Sequence, residues 1–311
     1  MYFPILRGRQ FELIALRELI ANGLIKDNVL PIIEPVKPTS TLNTTLKAYR
    51  EASARVAVIR NPHVGEFVSK LRDRDDSVIE KFYAEIDQGA FISAYYVDAG
   101  SPLTTAHLAD KGISPDNCIA ICQNKDSLGK YKELFSTTNP LFTLVTEERS
   151  MRRAITGKKV LLADRFDKKA RNTDYAIEDD KPFSEDNVYY EVEGYQGFAD
   201  YSIVGAEYSE SGFAPYAVVI HIVYLDEEGA LRIHHFVSDS NDDILDPAGK
   251  FSEALKKFHD WNQVKKLNTF GARKFEELFE NEEYPGLGTV KKLSIMHHIE
   301  LVSKYLEGAK E

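Results

Sequence analysis

The chain has 311 residues, 43% of them hydrophobic, with 39 Lys+Arg against 49 Asp+Glu for a formal net charge of -10. That length can bury a large core, and one barrel with additions fits it better than two unrelated domains. The acidic balance argues against a strongly cationic nucleic-acid coat or a general affinity for anionic membranes, and leaves only local basic patches open.

The predicted elements share one pattern: a short apolar, β-branched run that closes on a charged or amide residue. Residues 2–6 run into Arg7, and after a tight Arg7-Gly8-Arg9 corner a helix over 10–22 ends at Gly23. Residues 29–33 run into Glu34-Pro35, and Pro38, Ser40 and Thr41 open a helix over 42–52. The run 56–59 meets Arg60 and Asn61, followed by two helical stretches around a charged segment, 72–76, read as a solvated loop. Runs at 91–97, 118–122, 141–146 and 160–163 close on Asp98, on Gln123 and Asn124, on Glu147, and on Asp164 and Arg165. Segment 167–187 is polar and long, and reads as a lid-like loop; an eighth run spans 198–204. A hairpin is predicted from arms 217–225 and 231–238, then helices over 251–261, 270–279 and 293–306 that cap the barrel.

Eight strand-helix repeats predict an α/β fold: a (β/α)8 TIM-barrel-like domain over 1–210, with a β-hairpin and helical C-terminal cap over 211–311 packed on it. Cys118 and Cys122 fall on one face of one strand, too far apart for a disulfide, and read as core thiols of a reducing cytoplasm. No apolar run reaches membrane-spanning length and no signal peptide is read at the N-terminus, so a cytoplasmic protein without membrane association is expected.

The stretch Tyr2-Phe3-Pro4-Ile5-Leu6-Arg7-Gly8-Arg9, with Glu12, Ala15-Leu16 and then Pro31-Ile32-Ile33-Glu34-Pro35, resembles the opening of the bacterial and phage "beta protein" family. Phe198-Ala199-Asp200-Tyr201-Ser202 resembles a second motif of that group. The resemblance implies a barrel-like fold and a phage, mobile-element or defence context, and it carries over no catalytic residue.

In a parallel barrel the strand C-termini form the working face. Glu34, Asp98 and Asp164 are therefore candidate catalytic carboxylates, and Arg7, Arg9, Arg60, Asn61, Gln123, Glu147 and Arg165 candidate ligand-binding residues. Arginines provide planar forks for phosphate, and acids on nearby strands can hold a divalent cation such as Mg2+ or exchange protons. The same charges could instead pair with one another and close the barrel. Arg7-Gly8-Arg9 echoes the His-Arg-Gly corner of glycerophosphodiester phosphodiesterases, but the histidine and the paired Glu-x-Asp ligands are missing.

Asp200 and Tyr201 are placed near the start of their strand, at the stability-related end. His221 and His234-His235 are expected to face each other across the hairpin, and His297-His298 to lie on the surface. These readings lead to a recognition component of a phage-defence or phage-host conflict system, binding a phosphorylated ligand, a nucleic-acid end or a protein partner. The alternative is a metal-dependent phosphodiesterase or hydrolase at the same mouth, and a third reading is a homo-oligomer paired through an exposed hairpin edge near Val219 and Val223.

Overall fold

The computed structural model describes residues 1–72, 76–88, 91–209 and 215–308. In chain order the strands are β1 (Tyr2–Leu6), β2 (Ile32–Ile33), β3 (Ala57–Ile59), β4 (Ile92–Tyr96), β5 (Cys118–Cys122), β6 (Phe142–Val145), β7 (Lys159–Leu162), β8 (Asp180–Ser184), β9 (Gly197–Asp200), β10 (Val219–Leu225) and β11 (Leu231–Val237). The helices are α1 (Gln10–Ala21), α2 (Ser40–Glu51), α3 (Phe67–Lys70), α4 (Ser77–Asp87), α5 (Thr105–Asp110), α6 (Leu128–Leu134), α7 (Arg149–Ala154), α8 (Asp186–Tyr189), α9 (Pro247–Lys265), α10 (Phe270–Glu280) and α11 (Leu287–Gly308). The expected boundary at 210/211 and positions 73–75 of the expected charged loop lie outside the described residues.

Eight parallel strands, β1 to β7 and β9, close into a barrel, as the strand-helix repeat predicts. Alternation along each strand divides the core. Phe3, Ile5, Ile32, Ile59, Tyr96 and Ile121 are among the residues filling the interior. Tyr2, Leu6, Ile33, Val58 and Val145 pack outward against the helices. Cys118 and Cys122 are buried free thiols on the outward face of β5, and burial pushes both up to about 12. No helix among the described residues is long and apolar enough to cross a membrane.

The segment expected to be an irregular lid over 167–187 is instead folded. It holds a 3-10 turn (Asn172–Ala176), β8 and the start of α8, and β8 adds antiparallel to β11 as the third strand of the hairpin sheet. Asp180 anchors that edge, accepting from the Tyr224 hydroxyl (2.7 Å) and from Arg232 Nε (2.9 Å), with His234 Nδ1 at 3.1 Å. The polar, proline-containing stretch 180–184 hid a strand whose partner is far away in sequence.

The C-terminal helices divide between two cores. Phe251 and Phe258 of α9 and Phe275 of α10 cover Ile220, Ile222 and Phe236 of the hairpin sheet. Most of α11 joins the barrel layer, packing along α1 and β10, with Asn28 Nδ2 donating to the Ser303 carbonyl at 2.8 Å. It thus covers the barrel beside β1, where an eighth barrel helix belongs, and is more than a cap.

His297 and His298, expected on the surface, are both fully buried because α11 has neighbours on several sides. His297 Nε2 lies 2.5 Å from the Val223 carbonyl and its Nδ1 2.6 Å from Thr269 Oγ1. That contact, with α11 packed along β10, also covers the hairpin edge expected to be open for self-pairing.

Candidate functional site at the barrel mouth

Counting inward positions past each strand end brings Arg7, Glu34, Asn61, Asp98, Gln123, Thr146, Asp164 and Tyr201 to the C-terminal face of the barrel. Arg7 reaches this place because Gly8 turns the chain at φ +63°, where a side chain would meet the Glu34 carbonyl at 3.0 Å.

Glu34 is the hub. It is fully buried, and its Oε2 pairs with Arg7 Nη1 and accepts from the Tyr96 hydroxyl at 2.8 Å, while Oε1 accepts from the His63 backbone N–H at 2.9 Å. Burial alone would lower the Arg7 pKa, but the Glu34 charge, followed by Tyr96 and Tyr201, raises it. The second Arg7 nitrogen donates to the Ala206 carbonyl, and the guanidinium lies 4.9 Å from the centre of the Tyr201 ring. Burial raises the Tyr96 and Tyr201 phenols, so both are neutral hydrogen-bonding groups.

Above the hub lies a pair that sequence reasoning missed. His63 Nε2 sits 2.9 Å from Asp98 Oδ2, with the side chains 42% and 37% exposed, and the imidazole stacks on Tyr96 with centroids 4.0 Å apart. Among the described residues Nδ1 of His63 has no partner, so the pair leaves one ring nitrogen free to hydrogen-bond. The available signal was parity: His63 follows Asn61 by two positions past β3.

The remaining expected residues separate into two groups. Gln123 Nε2 donates to the Tyr201 hydroxyl at 3.2 Å, and the Asn61 side chain pairs with both backbone groups of Tyr96 at 2.9 Å, prolonging β3. Asp164 accepts from the backbone N–H groups of Phe166 (3.2 Å) and Ala206 (2.8 Å), and Arg9 donates to the Ser209 carbonyl beside Tyr208. Residues 201–209 after β9 are thereby strapped to both neighbouring strand ends. Glu147 is exposed, with no hydrogen bond or ion pair among the described residues.

Arg60 and Arg165 do not join the mouth. Arg60 points outward toward Phe82 of α4, 6.0 Å from its ring, and Arg165 grips Asp186 of α8 through Nε (2.8 Å) and Nη2 (2.5 Å). Both have the outward parity of their strands.

Asp200 and Tyr201 were expected at the opposite end, but β9 stops at Asp200, so both belong to the C-terminal face. The expected run over 198–204 was too long because Ser202 turns the chain at φ +51°. Tyr201 faces inward, whereas Asp200 faces outward under α11. Asp200 Oδ1 accepts from the Tyr2 hydroxyl and the Ser202 N–H, both at 2.7 Å. Burial raises Asp200 to about 7 against the lowering effect of these two bonds.

Among the described residues, no group of three or more His, Cys, Asp or Glu side chains is arranged to hold a metal ion. His221 and His235 do meet across the hairpin, Nδ1 to Nδ1 at 2.7 Å, as a pair. Comparison of the chain with protein-family models, curated proteins and solved structures gives no match.

Proposed function

We propose that this protein acts by recognition at the C-terminal face of its barrel, as a cytoplasmic component of a phage-defence or phage-host conflict system. The observation that carries this reading is the engagement of the candidate acids: Glu34 is held by Arg7, Tyr96 and His63, Asp98 by His63, and Asp164 by two backbone N–H groups. Each carboxylate is already engaged by groups of the protein, and the three do not converge on one point, which suits a preorganised binding surface better than a shared Mg2+ site for phosphodiester hydrolysis. The resemblance of 2–9 and 31–35 to the beta protein family supports the biological setting.

For a phosphorylated ligand or a nucleic-acid end, this face offers hydrogen bonds and the imidazole of His63. Arg7 could reach a phosphate only by giving up its buried pair with Glu34, at a cost of roughly 3 kcal/mol or more. His63 is the accessible group: neutral, its Nδ1 accepts from a hydroxyl or amide, and protonated, it donates to a phosphate oxygen. Asp98 orients the ring in both states. A protein partner would meet the same groups at the rim.

The test is a phage challenge of bacteria producing the wild-type protein, His63→Ala or Asp98→Asn, with circular dichroism confirming the fold. The proposal expects both variants to lose the phage response. An unchanged response in both folded variants would refute it.

A further inference from the structure

The histidine pair of the hairpin sheet borders a cavity of about 250 Å3 between β10 and the first turns of α11, with His221, Phe166, Tyr175, Val290 and Ser294 among its walls. None of Glu34, Asp98 and Asp164 lines it. Two contacts fix how the strand and the helix lie together. His297 Nε2 of α11 is 2.5 Å from the Val223 carbonyl, and a side chain at Gly229 would meet the Tyr305 ring at 3.3 Å, so α11 runs parallel to β10. His221 lies two residues before Val223, about 7 Å along the strand, and Ser294 three residues before His297, about 4.5 Å along the helix. The two side chains therefore border the cavity side by side.

The histidine pair decides where His221 carries its proton. His221 and His235 are directly opposed on β10 and β11 with their Nδ1 atoms 2.7 Å apart, so one of the two donates to the other. Burial lowers both imidazoles, and the pair is neutral. His235 is 2% exposed, and its Nε2 is buried without a hydrogen-bond partner. With the shared proton on His221, His235 would carry its own on that Nε2 and bury an orphan donor, the rarer deficit in folded chains. With the shared proton on His235, the orphan is only a lone pair, and His221 carries its proton on Nε2.

Two donors without an acceptor thus border one small space. Among the described residues neither His221 Nε2 nor the Ser294 hydroxyl has a hydrogen-bond partner, although Ser294 is 2% exposed. Phe166 and Tyr175 hold the imidazole edge-on, with ring centroids 5.2 and 4.8 Å from it. No carboxylate lines the cavity among the described residues. Lys168, Lys169 and Lys291 do, each held by an acid outside the lining: Glu207 at 3.4 Å, Asp167 at 2.5 Å and Glu12 at 2.9 Å. Their charges are largely compensated, which suits a monoanion better than a phosphate dianion.

We propose that this cavity binds a small carboxylic acid as its carboxylate, which accepts from His221 Nε2–H and the Ser294 hydroxyl while its apolar body lies against Phe166, Val204 and Val290. The volume is at the small end for ligand sites, which admits an acid of about ten non-hydrogen atoms and excludes a nucleotide. His235 is the positioning residue, because its Nδ1–H holds His221 in the donor tautomer. The site is independent of the barrel mouth.

Calorimetric titration of the full chain with benzoate, hexanoate and the neutral benzamide tests the proposal. Saturable binding of benzoate or hexanoate is expected, with benzamide about tenfold weaker or more. Ser294→Ala and His221→Phe should each weaken binding by about tenfold, the scale of one lost hydrogen bond to a charged group. Ser294→Ala removes only a hydroxyl and inserts a better helix former, so it folds even if His221→Phe does not. Nitrogen NMR of the histidine-labelled, unliganded protein reads the tautomers, and a proton on Nε2 of His221 but not of His235 is expected. Absence of saturable binding for both acids, affinity unchanged in Ser294→Ala, or equal affinity for benzamide would overturn the carboxylate site. A His221 protonated on Nδ1 alone would overturn the donor assigned to it.

Discussion

Replacing Asp200 by Asn should change how stability depends on pH, and the sign is fixed by the direction of the Asp200 shift. The carboxyl is buried between Tyr2 and the Ser202 N–H, with a pKa of about 7 in the fold against 3.8 for an unperturbed aspartate. Between those values the folded chain binds more protons than the unfolded chain, so stability falls as pH rises. The contribution is fully present below 3.8 and is lost as pH rises through about 7. Going from about pH 5 to about pH 8 should cost the wild type about 2.5 kcal/mol through this group alone.

Asparagine mimics the protonated acid, keeping an acceptor for Tyr2 and Ser202, and cannot ionise. The buried histidines act in the opposite sense. His235 and His297 are lowered to about 4 and His298 to about 3, chiefly by burial, so protonation of the unfolded chain removes stability as pH drops below 6.5. They are common to both proteins and cancel in the difference. Urea unfolding of wild type and Asp200→Asn at the two pH values should therefore show the variant gaining about 2.5 kcal/mol relative to the wild type at the higher pH. Parallel pH profiles would refute a buried, elevated carboxyl at Asp200.

Glu34→Gln should destabilise the fold by about 3 kcal/mol in chemical denaturation, because Arg7 keeps its buried charge without a counter-ion, and adding Arg7→Met should restore part of the loss. Gly8→Ala and Gly23→Ala share φ +63°, but only the Gly8 side chain would meet backbone, so Gly8→Ala should lower Tm by clearly more than the roughly 1 kcal/mol of left-handed strain expected at Gly23. His297→Phe should cost about 2 kcal/mol in urea unfolding by stranding the Val223 carbonyl and the Thr269 hydroxyl. Cys118 and Cys122 should resist a thiol reagent in native buffer and react in denaturant, since both thiols are buried and pushed up to about 12.

The barrel was legible because its strands are local: each short apolar run carries its own boundary, and β1 and β5 match their expected spans residue for residue. The hairpin was legible for the same reason. What escaped depends on distant neighbours. β8 is polar and exists because β11 offers it an edge. α11 buries His297 and His298 because α1 and β10 flank it, and the polar Ser294, His297, His298 and Glu300 within 293–302 gave no sign of a helix without a solvent face.

Within the site, strand-end position was readable and side-chain direction was not applied. Arg60 and Arg165 end their strands as expected but point outward, while Tyr96 and His63, not among the expected residues, and Tyr201, expected at the opposite end, point inward. Two-residue alternation, carried one or two positions past each strand, separates these sets. The end of β9 was misplaced because the positive φ of Ser202 leaves little trace in composition.

Recognition and metal-assisted hydrolysis at the barrel mouth part company most sharply in a calorimetric titration of the purified protein with Mn2+. We expect no saturable heat, because Glu34, Asp98 and Asp164 are each already engaged by groups of the protein. One-to-one binding that disappears in both Asp98→Asn and Asp164→Asn would mean that these acids converge on a metal, and the hydrolytic reading would replace recognition.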